Sequence, residues 1–168
     1  MSPLQRLANR IGHHRFLRLM RLYPPYLGAG VRVRHAEPDL SRVEVEMPLT
    51  WWNQNFVGTH FGGSLYSMCD PFFMFMLIAR LGPDYVVWDK AATIEFLRPG
   101  RGKVTAVFEL SDAQVDDIRR KADAGAKVLP RFEVVVTGAD GTPVARIDKT
   151  LHVRRADQAR RMRVVAQS

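Results

Sequence analysis

Residues 62–81 read GGSLYSMCDPFFMFMLIARL, and this stretch decides the fold. Leu65, Met68, Cys69, Phe72, Phe73, Met76 and Leu77 recur at helical intervals and are too many for a narrow stripe, so the segment is predicted to be one long buried helix. At about 1.5 Å per residue it would run roughly 30 Å, the size of a small domain. Gly82-Pro83 stops it. The longest apolar run, Phe72 to Ala79, is bounded by Asp70-Pro71 and Arg80 and falls far short of the roughly 20 residues that span a bilayer. A core helix is expected, not a membrane span.

Upstream, Val31 and Val33 alternate with Arg32 and Arg34, and Val43, Val45 and Met47 with Glu44 and Glu46. With Glu37-Pro38-Asp39 as the turn, this is a strand pair with one buried face. Downstream, strands are predicted at Ala92–Leu97, Val104–Leu110, Arg131–Val136 and Val144–Val153, the last two joined through Asp140-Gly141, as an antiparallel meander. Ser111 with Gln114 reads as a capping box opening a short charged helix through Lys121, closed by Gly125. At the start, Leu4, Leu7, Ile11, Leu17, Met20 and Leu22 suggest a helix weakened at Gly12 and ended by Tyr23-Pro24-Pro25-Tyr26.

The expected architecture is α+β: an antiparallel sheet of about six strands wrapped around one long central helix. An N-terminal helix over 1–22 precedes the main domain over 23–154, and a basic tail occupies 155–168. Such a thin fold exposes strand edges, so pairing into a homodimer, or a dimer of dimers, is expected.

Bulk properties agree with one soluble domain: 168 residues, 46% of them hydrophobic. A single cysteine, Cys69, excludes an internal disulfide framework, and the first residues lack the apolar stretch of a secretory signal. A reducing, cytoplasmic setting is expected. The net charge of +8 is concentrated toward the two ends. It would attract nucleic acid, a membrane surface or a polyphosphorylated ligand without choosing among them. The tail lacks the interleaved aromatics a nucleic-acid binder would use, which makes nucleic acid an unlikely partner. The histidines, His13, His14, His35, His60 and His152, have no ligand spacing beyond one adjacent pair, so no metal is expected. Nucleophile-elbow and Walker patterns are absent too, which argues against a serine hydrolase.

Chemistry is expected where the long helix begins. Asn53, Asn55, Gly58, His60, Gly62 and Gly63 cluster there, and a helix N-terminus opened by glycines lets a carbonyl oxygen approach unpaired N–H donors, the geometry of an oxyanion hole. Asp70 lies two turns further on beside apolar Cys69, Phe72 and Phe73, where desolvation would raise its pKa and suit it to act as a base or nucleophile.

Asn55, five residues, Phe61-Gly62-Gly63, six residues and then Asp70 together resemble the motif of hotdog-fold thioesterases of the phenylacetyl-CoA type. The resemblance implies that Asn55 and Gly62 bind and polarise the thioester carbonyl, while Asp70, reaching across a dimer interface, acts as base or nucleophile. The substrate would be an acyl-CoA, with the thioester as substrate and no separate cofactor. One position departs: that family usually has His directly before the two glycines, whereas Phe61 stands there and His60 comes one residue earlier. The wider wording, GTHFGGSLYSMCDPF and VVWDKAATIEFLRPG, is similar to a hotdog family of mostly unassigned function, over residues 23 to 154.

Plainer roles stand beside each of these. Asp70-Pro71 is also a good N-cap and N1 pair for a second helix; if the helix runs through, Pro71 frees the Ser67 carbonyl and kinks it. Asn55 could close an Asx turn, and Gly62 with Gly63 could serve close packing. His60 could be a satisfied structural histidine. Asp89-Lys90 would either reach the active site or form a surface ion pair, and Arg98, with Arg101 and Lys103 around Pro99-Gly100, would either hold coenzyme A phosphates or make a solvated turn. Substrate-binding candidates are thus Gly63, His60, Phe61, Asp89, Lys90 and Arg98. Thioester hydrolysis is set against acyl-CoA or lipid binding without turnover, and against hydration or dehydration of acyl thioesters, for which His60 alone supplies no acid partner.

Overall fold

A computed structural model describes residues 3–157; Arg160, Arg161 and Arg163 of the predicted basic tail lie outside the described residues. Six antiparallel strands form one sheet in the order β1-β2-β4-β5-β6-β3. Their bounds are β1 Arg32–Ala36, β2 Arg42–Met47, β3 Tyr85–Phe96, β4 Val104–Glu109, β5 Arg131–Gly138 and β6 Pro143–Arg155. With them run α1 Pro3–Ile11, α2 His13–Leu19, α3 Pro24–Ala29, α4 Gly62–Ser67, α5 Phe72–Leu81 and α6 Asp112–Asp123, and a 3-10 turn at Met20–Leu22.

The sheet is apolar toward α4 and α5. In the β2–β4 register, Val43 pairs with Phe108, Val45 with Ala106 and Met47 with Val104, and all six are buried. Helix α5 meets that face with aromatic rings: Phe72 lies 5.0 Å and Phe73 5.2 Å from Phe108, and Phe73 stacks on Phe132 at 4.6 Å. Truncating such a buried ring to Ala typically costs about 3–5 kcal/mol. The 62–81 stretch is long and apolar enough to cross a bilayer by composition alone. Here its apolar residues form the core under the sheet.

The expected long helical segment spans Gly62–Leu81, and Met68–Pro71 form a turn that divides it into α4 and α5. The cause is Pro71, which has no N–H to offer the Ser67 carbonyl four residues back. Tyr26 donates its hydroxyl to that carbonyl instead, at 3.2 Å. Asp70 does not cap α5, whose first residue has no side-chain cap. The N-terminal helix is likewise broken at Gly12, where φ is +89°, into α1 and α2.

One expectation needs correction, the place of β3. It starts at Tyr85, seven residues before the expected Ala92, and pairs with β6 rather than β4, so the four strands are not a meander and β3 is an edge. Its register slips between Asp89 and Ala91, leaving Lys90 as the extra residue of a bulge. The capping box at α6 is present in both halves, with Gln114 N–H donating to Ser111 Oγ and Ser111 N–H to the Gln114 side chain.

Candidate active site

Strand β6 presents Ile147, Lys149, Leu151 and Val153 to the core, all fully buried. A lysine in such a row must have its charge met, because an unpaired buried ammonium is costly. Cross-strand neighbours Ala92 and Phe132 flank it, and the small Ala92 leaves space for the long side chain. Lys149 Nζ donates to Asp70 Oδ1 at 2.7 Å and lies 2.9 Å from Asp89 Oδ1. Burial alone would lower the Lys149 pKa, but the two carboxylates outweigh it and hold the ammonium above its ordinary value.

Asp70 is shaped by its helix as well. Tyr66, one turn earlier on the same face, donates its hydroxyl to Asp70 Oδ1 at 2.6 Å. Both donors therefore sit on one oxygen. The side chain is 42% exposed, and Oδ2 takes no donor among the described residues. The surroundings are thus a cation and a phenol, not the apolar pocket expected from Cys69, Phe72 and Phe73, which turn into the core. Desolvation raises the Asp89 pKa; Lys149 partly offsets this and the nearby Asp70 charge adds to it. The bulge at Lys90 allows both Asp89 and Ala92 to face inward, opposite the buried Leu151 and Lys149. Asp89 pairs with Lys149, not with Lys90, which is exposed.

The other expected residues gather elsewhere, in a cleft of about 450 Å³ lined by Asn55, Thr59, His60, Gly62, Phe96 and Arg98. Asn55 is committed to its own loop: Oδ1 accepts from the N–H groups of Val57 and Thr59, and Nδ2 donates to Thr59 Oγ1 and the His60 carbonyl. That is an Asx turn on the cleft wall. His60 is 3% exposed and its Nε2 lies 2.8 Å from the Gly102 carbonyl, so Nε2 carries the proton. Burial lowers its pKa against the effect of that carbonyl, and Nδ1 is a buried acceptor without a partner among the described residues.

At the start of α4, Ser64 and Leu65 donate the first backbone bonds, both to the Phe61 carbonyl, and Gly62 and Gly63 N–H lie ahead of them. Aromatic rings lie directly over both glycines. A Cβ at Gly62 would come 2.8 Å from the Phe96 ring, and one at Gly63 would come 2.5 Å from the Phe61 ring. Both rings are more than half exposed. Phe61 thus covers Gly63 where the related motif has histidine.

The structure therefore divides the candidates, with Asp70 and Asp89 joined through Lys149, and Asn55, His60, Gly62 and Arg98 around the cleft. Two members went unread in the sequence. Lys149 was signalled by its place in the inward alternation Ile147-Lys149-Leu151-Val153, and Tyr66 by its spacing of four from Asp70.

An antiparallel sheet wrapped around a central helical segment is the architecture of a hotdog fold. The chain belongs to the family described as "Domain of unknown function (DUF4442)", which it matches over residues 12–153. No curated protein matches it. Among solved structures it is similar to PA5026 from Pseudomonas aeruginosa, described as a protein of unknown function and probable thioesterase, with TM-score 0.74 and 20% identity over 83% of this chain and 93% of that one. It is also similar to thioesterase HI1161 from Haemophilus influenzae, with TM-score 0.62 and 15% identity over 84% and 90% of the two chains. The PaaI protein of the E. coli phenylacetic acid degradation operon aligns with TM-score 0.58 and 19% identity over 83% and 93%. At these identities the likeness establishes the shared fold.

Proposed function

We propose that the protein hydrolyses acyl thioesters, with Asp70 as the general base that activates water or as the nucleophile itself. The observation that carries this reading is the asymmetry of the Asp70 carboxylate: Oδ1 is anchored by Tyr66 and Lys149, while Oδ2, on a partly exposed side chain, takes no donor among the described residues. A base must hold a fixed direction and keep a lone pair available, and this arrangement provides both. The thioesterase names of the solved neighbours support the reaction class.

In the water route, Oδ2 takes a proton from water as its oxygen attacks the thioester carbonyl carbon. The developing oxyanion would be met by N–H groups at the start of α4, once the Phe61 or Phe96 ring swings aside; the C–S bond then breaks, and the proton held by Asp70 passes to the sulfur so that the thiol leaves and the carboxylate is restored. Arg98 and Arg101 at the cleft mouth suit the phosphates of coenzyme A.

Asp70 does not line the cleft that holds Asn55 and Gly62. This separation supports a site completed by a second copy of the chain, and the free β3 edge, with Trp88 and Phe96 exposed, offers the surface on which two copies would pair. A homodimer is the minimal unit in this reading, and the buried free thiol of Cys69 suits a reducing, cytoplasmic setting.

A second reading, acyl-CoA binding without turnover, is favoured by one specific feature: Asn55 has its amide fully occupied and the helix-start glycines lie under rings. Thiol release from short, long and aromatic acyl-CoAs separates the two. Hydrolysis by the wild type that falls about 100-fold or more in Asp70→Asn is the expected result. Binding of acyl-CoA with no release from any substrate would leave the binding reading instead.

A further inference from the structure

The first 36 residues contain seven arginines and no aspartate or glutamate, and five of the arginines fall between Arg6 and Arg21. The same segment leaves large apolar side chains in water. In α1, Leu4 and Leu7 are 52% and 40% exposed although Ala8, on the same face, is buried. Along α2 and the following turn, Phe16, Leu17 and Met20 hold the segment to the core, while Leu19 and Leu22 face outward at 44% and 60% exposure among exposed Arg15, Arg18 and Arg21. Leu27 of α3 extends the set.

Single exposed leucines are ordinary, but a run of them interleaved with cations along successive short helices marks a contact surface. We propose that this face docks on an anionic lipid bilayer. Guanidinium groups would meet the headgroup phosphates while the leucines enter the acyl boundary beneath them. A nucleic acid would use the arginines and leave the leucines idle, since its sequence-tolerant apolar contacts are to aromatic rings. Neither Asp70 nor the cleft takes part, so this inference stands or falls apart from the thioester reading. Such docking would hold the domain beside the compartment where long acyl chains reside.

The test is co-sedimentation of the full chain with vesicles of phosphatidylcholine alone and of equal parts phosphatidylcholine and phosphatidylglycerol. The wild type is expected to sediment with the anionic vesicles only and to be released by salt. Leu19→Ser/Leu22→Ser, and independently Leu4→Ser/Leu7→Ser, should weaken partitioning by about tenfold, with melting temperatures near wild type because the replaced side chains are exposed. Arg15→Glu/Arg18→Glu should abolish it. Failure of the wild type to sediment with anionic vesicles, or wild-type sedimentation by both leucine variants, would overturn the proposal. Displacement by duplex DNA that is equal for wild type and leucine variants would assign the face to nucleic acid and overturn it as well.

Discussion

Among single residues, Lys149 ties Asp70 to Asp89. Removing one partner of a buried ion pair strands the other charges, at about 3–5 kcal/mol when all are buried. Here the carboxylates are 42% and 28% exposed, which calls for a discount to about 1–3 kcal/mol. Lys149→Met should lose that much in denaturant melts. Its pH dependence has a definite sign. Asp89 already has a raised pKa in the folded chain, so its contribution is present at low pH and lost as pH rises through the folded value. Without Lys149 that value rises further, and the variant should gain stability on acidification from neutral pH toward 5 more steeply than the wild type. Parallel curves would show that the ammonium does not bridge the two carboxylates. His60 yields a second test: its ring should remain neutral at and below the ordinary 6.5, with the proton on Nε2, in nitrogen-detected NMR. Asp70 and the glycines of this site were legible because a spacing carries them. Lys149 was not, because a cation in a strand is ordinarily read as solvent-facing, and only the strict alternation around it says otherwise.

At the scale of elements, Pro71 and Tyr26 form one device across 45 positions of sequence: the proline opens the helix and the tyrosine satisfies the carbonyl it leaves unpaired. Tyr26→Phe should cost about 1 kcal/mol, as for a typical buried hydrogen bond. In a Pro71→Ala background, where a helical N–H can reach Ser67, the same change should cost clearly less, and a double-mutant cycle measures that coupling. Additive effects would mean that the two residues act separately. The sequence showed that the backbone at Asp70-Pro71 is special but not which alternative holds, since the tyrosine that settles it is distant in the chain. The first half of β3 was unreadable for a related reason. Trp88-Asp89-Lys90 breaks the alternation because a bulge is present, and a bulge shows itself only against its partner strand.

For the molecule as a whole, the sheet-around-helix architecture followed from counting apolar positions, whereas strand order did not, because β3 crosses to the far edge beside β6. That edge is the surface on which the proposed dimer would pair. If Asn55 and Gly62 of one copy serve Asp70 of the other, two inactive variants should complement each other. Mixing Asp70→Asn with Asn55→Ala after co-refolding should restore about a quarter of wild-type sites, from half the dimers having one intact site each. No recovery, with heterodimers verified by mass, would place the whole site in a single chain. Whether Asp70 performs the chemistry from a carboxylate anchored on one oxygen is decided by the kcat for thiol release from the best acyl-CoA in wild type, Lys149→Met and Asp70→Asn. A graded loss is expected, about tenfold without the anchor and about 100-fold or more without the carboxylate. An Asp70→Asn variant that turns over at the wild-type rate would contradict it.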